Sequence, residues 1–153
     1  MLIGSLLGLG CCRRQAYKKG GLSLGFGNQV PNDRGPSNTP FYGEWEMGSY
    51  YGSWRIGKAG NILCASQDMS IDPSDCKNKL AEVELERIVA FDQLSDLDVR
   101  VKFRNGVFVD FLATTSYDDD LFHIFCPGNI YIQLSNGGIW RMCESDKPWP
   151  NEV

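Results

Sequence analysis

The stretch Leu97–Phe111, LDVRVKFRNGVFVDF, decides the fold. Leu97, Val99, Val101 and Phe103 alternate with Asp98, Arg100 and Lys102, the period of two that marks a half-buried strand. A second run, Val107 to Phe111, follows a break containing Gly106. A two-residue turn at Asn105-Gly106 sets Phe103 only diagonally from Val107. A four-residue loop, Arg104 to Val107, sets Val101 opposite Asp110 and puts a carboxylate on the apolar face. A three-residue loop, Arg104-Asn105-Gly106, sets Phe103 opposite Val107, Val101 opposite Val109 and Val99 opposite Phe111, with Arg100 facing Asp110 on the other side. Cross-strand partners share a face and a one-residue slip inverts every side chain, so the three-residue register is the one predicted. Gly106 supplies the left-handed residue that such a loop needs.

Working outward, the 153 residues form one domain by size, with enough chain to bury a core. The segment from Ile71 to Glu86, IDPSDCKNKLAEVELE, predicts a helix of about Pro73 to Glu84. Asp72 caps it, Pro73 suits its first turn, and Cys76, Leu80 and Val83 form a single apolar stripe. Ile88–Phe91 returns to strand, and LFHIFCP (Leu121–Pro127), Ile130–Leu134 and Ile139–Met142 add three more, with Asn136-Gly137-Gly138 as a turn. Upstream, Ser49–Ile56 and Asn61–Ser66 read as a hairpin across Gly57-Lys58-Ala59-Gly60. The expected architecture is α+β: a mostly antiparallel sheet built from hairpins, with one main α-helix packed on it.

The opening MLIGSLLGLGCC is too short to span a bilayer and has no basic residue before its apolar run, so residues 2–12 are read as a strand. Residues 22–27 make a second, around a basic Arg13–Lys19 segment read as a solvated connection. Residues 28–40, NQVPNDRGPSNTP, read as a long loop within the domain. The tail DKPWPNEV is expected to be pinned to the body by Trp149.

Charge is unevenly spread. The net charge of −4 divides into +4 over residues 1–43 and −8 over residues 44–153. An acidic main body disfavours nucleic acid, whose phosphates demand a positive footprint, and suits a basic protein partner. The six cysteines lack a CxxC pair and the chain has a single histidine, His123, so no zinc site of standard spacing is encoded. Asp118-Asp119-Asp120 lacks the alternating ligands, glycine and distal Glu of a calcium loop. No metal and no cofactor is expected. The thiols are expected to be reduced and largely buried.

Strand alternation places His123 on the face of Leu121 and Phe125. It is the only general base of the usual kind, and no nucleophile motif or phosphate-binding loop accompanies it. Glu44 and Glu46 share a face if extended, which suits a polar surface better than a hydrolase cleft. Trp45, Tyr50, Tyr51 and Trp54 concentrate aromatic surface in one segment, expected to serve mainly the core.

The strings GEWEMGSYYGSWRI (Gly43–Ile56), ILCASQD after it, DVRVKFRNGVFVDFLAT (Asp98–Thr114), LFHIFCP and DKPW (Asp146–Trp149) resemble a family of small bacterial immunity proteins. Members are encoded beside polymorphic toxins of the Rhs or contact-dependent type. The resemblance implies a cytoplasmic, non-enzymatic protein that binds the toxin domain made by its own cell, one to one, and occludes its active site. No nucleic acid or membrane partner is implied. The toxin-binding residues expected are Asp118, Asp119 and Asp120, then Glu44, Glu46, Tyr50 and Tyr51, with the loop Asn28–Pro40 third. A small enzyme that reverses toxin damage or hydrolyses a small ligand, using His123 and Asp120, remains an alternative, as does an adaptor module of a secretion system. The toxin's chemistry, ADP-ribosyltransferase or nuclease, is open.

Overall fold

In the computed structural model the strands Val99–Phe103 and Phe108–Leu112 pair as the alternation requires: Val99 with Phe111, Arg100 with Asp110 and Val101 with Val109. The Phe103 amide donates to the Val107 carbonyl, and Gly106 takes a left-handed φ of 86°. The structure describes residues 2–32, 40–117 and 120–144.

Among them, eleven strands make two antiparallel sheets. In chain order the strands are β1 (Cys11–Ala16), β2 (Leu22–Pro31), β3 (Phe41–Ser49), β4 (Ser53–Lys58), β5 (Asn61–Ala65), β6 (Ile88–Gln93), β7 (Val99–Phe103), β8 (Phe108–Leu112), β9 (Phe122–Cys126), β10 (Ile130–Ser135) and β11 (Ile139–Glu144). One sheet runs β1-β2-β3-β9-β10-β11 and the other β5-β4-β8-β7-β6. The chain crosses between them at Tyr50–Gly52, where the Ser49 hydroxyl accepts from the Gly52 amide.

The two inner faces form one core. Phe26 of β2 stacks on Phe103 of β7 at 6.1 Å, and Phe122 of β9 lies 5.0 Å from Phe111 of β8. Phe91 of β6 and Trp140 of β11 complete the aromatic cluster around Phe122. Every second residue of β7, and Leu24, Trp45, Met47, Trp54 and Ile56 on the neighbouring strands, is buried here.

Two helices follow β5, α1 (Asp68–Ile71) and α2 (Pro73–Glu82). The Asp72 side chain accepts from the Asp75 amide and Pro73 opens the first turn, as the sequence indicates. Cys76 and Leu80 are buried, and α2 touches β5 and β1, the edge strands of the two sheets. It ends at Glu82, two residues earlier than expected. Val83 is extended, and Arg14 Nη1 donates to the carbonyls of Leu80 (2.7 Å) and Val83, closing the helix end with a cation.

Four other expectations are corrected. Leu2–Leu6 is a 3-10 helix, not a strand: Leu6 plugs the core, and Gly8, at φ 86°, turns the chain so that its amide reaches the Ile88 carbonyl. Arg13 and Arg14 belong to β1 and are not part of a solvated connection. The loop expected at 28–40 begins later, because Asn28–Pro31 continues β2, past an irregularity at Gly27, to pair Gln29 with Gly43, Val30 with Tyr42 and Pro31 with Phe41. The β4–β5 connection is a two-residue turn, Ala59-Gly60, with φ of 51° and 81°, the conformation that matches strand twist in a tight hairpin. Trp149 lies outside the described residues.

All six cysteines are free thiols, three of them buried. Burial pushes the Cys64 thiol up to about 12 and the Cys126 thiol up to about 11. No helix among the described residues is long and apolar enough to cross a membrane.

Candidate functional site

The outer face of the six-stranded sheet is where chemistry collects. Alternation along β3 turns Trp45 and Met47 inward and sends Glu44 and Glu46 outward; the same rule on β9 sends His123 and Phe125 outward. His123 pairs across the ladder with Gly48, a position where any Cβ would collide with the Leu22 carbonyl.

Asp120 sits between two ring residues. Its Oδ1 lies 3.1 Å from His123 Nδ1, and its Oδ2 accepts from the Tyr131 hydroxyl. A carboxylate only accepts, so with Asp120 ionised it is His123 Nδ1–H that donates to it. Tyr50 covers the imidazole with its own ring, centroids 4.6 Å apart, and Phe125 and Tyr131 stack beside it at 4.7 Å from each other. His123 is 3% exposed, whereas Tyr50 and Phe125 show 41% and 36% of their surface to solvent. Burial, then the neighbouring Asp120 charge, raises the Tyr50 hydroxyl pKa; burial and the Asp120 hydrogen bond raise that of Tyr131. Both phenols are therefore neutral donors around neutral pH.

Next to this cluster Glu46 is tied down. It accepts from Arg13 Nε (2.9 Å) and Nη2 (3.1 Å), from the Ser23 hydroxyl and from the Gly43 amide, and is 7% exposed. Burial works against the Arg13 charge, but the hydrogen bonds and charge of Glu46 outweigh it and hold the guanidinium pKa above its ordinary value. Arg13 also lies over the Tyr42 ring at 5.2 Å, and Tyr42 is 40% exposed.

The expected binding residues thus separate. Asp118 and Asp119 lie outside the described residues. Asp120 and Tyr50, far apart in sequence, come together through His123. Glu46 is a buried structural ion pair, so its place as a surface contact is corrected. Glu44 accepts from the Asn28 amide on the same face. Tyr51 points elsewhere, to a hollow of about 210 Å³ that it shares with Lys18, Lys19 and Ser70. A larger hollow, about 660 Å³, lies between β1 and α2 and is lined by Cys11–Ala16, Pro40, Lys77 and Leu80. The aromatic segment divides evenly between roles: Trp45 and Trp54 are core, and Tyr50 and Tyr51 are surface. Tyr42, Phe125 and Tyr131 were not among the expected binding residues; alternation already set Phe125 on the His123 face, and the same rule along β3 and β10 was the signal for Tyr42 and Tyr131.

Among the described residues, no group of three or more His, Cys, Asp or Glu side chains is placed to hold a metal ion. No family model, curated protein or solved structure matches the chain.

Proposed function

We propose that this protein is an immunity protein, which binds a cognate secreted toxin domain one to one in the cytoplasm and occludes its active site. The observation that supports this most is the outer face of the six-stranded sheet. There Tyr42, Tyr50 and Phe125 stand exposed around a fixed Asp120–His123–Tyr131 network. Aromatic anchors held by packing lose little entropy on binding, and adjacent carboxylates complement a basic partner. In this reading α2 is the one main helix packed against the sheets, bracing β1 so that Arg13 and Glu46 stay set behind the contact surface. The test is co-expression with the product of the adjacent upstream gene. A stable one-to-one complex and protection of the cell are expected; no complex between the two purified proteins rules the reading out.

One observation favours a second reading, an enzyme that reverses toxin damage. The Asp120 carboxylate orients His123 Nδ1 in the manner of a base and its positioning group. His123→Ala separates the two. Occlusion predicts that binding and protection change together, whereas an enzyme loses protection while binding persists.

A further inference from the structure

The other sheet carries a charge arrangement that the toxin-binding reading does not use. On the outer face of β4, β7 and β8, Asp110 is fully buried and holds two arginines. Arg100 reaches it through Nε (2.6 Å) and Nη2 (2.8 Å), and Arg55 through Nε (2.8 Å). The adjacent Lys102 and Asp92 neutralise each other at 3.0 Å. Two guanidiniums on one carboxylate leave an excess positive charge. Arg55 Nη1 and Nη2 and Arg100 Nη1 have no partner among the described residues, and the two side chains are 41% and 25% exposed.

The donors are also held in place. The Arg100 guanidinium lies 4.0 Å over the Phe108 ring, and that ring rests on Gly57, where a Cβ would meet it. A fixed aromatic below and a buried carboxylate engaging Nε and Nη2 hold the Arg100 guanidinium in place, so little order has to be imposed on its remaining Nη1 donor when an anion arrives.

We propose that Arg55 and Arg100 form an oxyanion-binding site whose ligand is a phosphate group. A single carboxylate is satisfied by two parallel N–H groups of one guanidinium, whereas two guanidiniums brought side by side on Asp110 Oδ2, with Nη groups left over on both, suit the several oxygens of a phosphate. The site lies on the opposite sheet from the Tyr50–His123 cluster and stands or falls independently of it.

The test is titration of the full chain with inorganic phosphate at constant ionic strength, followed by the side-chain Nε–H NMR signals of the arginines. Saturable shifts at Arg55 and Arg100 are expected, with a much weaker response to acetate. Arg55→Gln, which leaves Asp110 paired with Arg100, should weaken binding by at least about tenfold. No saturable shift overturns the proposal, as does an unchanged response in Arg55→Gln. Equal response to acetate overturns the phosphate assignment. Shifts confined to the amides of Lys18 and Lys19 place the anion in the other hollow and overturn the site.

Discussion

Tyr50 lies across the imidazole of His123, ring centroids 4.6 Å apart, although the two residues belong to different segments of the chain. The contact joins the sheet-crossing segment to β9 and makes an aromatic surface out of residues that are unremarkable singly. If this surface binds the toxin, Tyr50→Ala should raise the Kd by about thirtyfold or more, roughly 2 kcal/mol, the scale of a central aromatic anchor. Tyr51→Ala, one residue away on a different surface, should change it little. Isothermal titration of both variants checks the contrast, and equal effects would sink the assignment of this face.

Asp110 should make the protein sensitive to acid. Burial alone would raise its pKa, but hydrogen bonds from Arg100 and Arg55 overcome that and hold it below the ordinary aspartate value. A carboxyl whose folded pKa is depressed contributes stability above its unfolded pKa, about 3.9, and loses it as pH falls toward the folded value. Urea midpoints should therefore drop below about pH 4 in the wild type. Asp110→Asn should be destabilised by about 3–5 kcal/mol at neutral pH, because two arginines lose their shared anion. Its midpoint should also vary less with acid.

Leu80 faces the core from α2 and is 3% exposed. Burying a leucine is worth about 1.5–3 kcal/mol, and a carboxylate in its place adds a desolvation cost. Leu80→Asp should accordingly fail to give a cooperative thermal transition. Lys79→Ala, on the exposed side of the same helix, loses only a solvent-screened surface ion pair to Asp75 and should keep a cooperative transition at nearly the wild-type Tm.

Ala59 occupies a left-handed position that a side chain with a Cβ disfavours, at φ 51°. Asparagine is the preferred residue before glycine in such a turn. Ala59→Asn should stabilise the protein by about 0.5–1 kcal/mol, read as a higher Tm with unchanged spectra. A lower Tm would mean that the turn is not the two-residue one described.

What was legible in the sequence was local. The register of β7 on β8 follows from alternation and a single glycine, and the start of α2 follows from Asp72 and Pro73. What was not legible depended on partners distant along the chain. Arg13 and Arg14 look like solvent-facing charges because nothing nearby neutralises them; Glu46 and the carbonyls at the end of α2 do so from afar. The division into two sheets was hidden for the same reason, since the crossing at Tyr50–Gly52 reads as continuous β-prone sequence. Of the site, the Asp120–His123 proximity was visible as a three-residue spacing, but the lid that Tyr50 places over it was not.

The anchoring of the N-terminal segment sets an order of events during synthesis. Residues 8 and 9 hydrogen-bond to Ile88, and Arg14 to Leu80 and Val83. These residues leave the ribosome before Leu80, Val83 and Ile88, which lie in the later half of the 153 residues, and wait for them before meeting these permanent neighbours. Until then Leu6 and the flank of β1 have no burial partner from that half, and the nascent chain carries an apolar segment in search of one. Slow translation through the codons for α2 and β6 would lengthen that exposure, and a chain cut short before Ile88 would never end it.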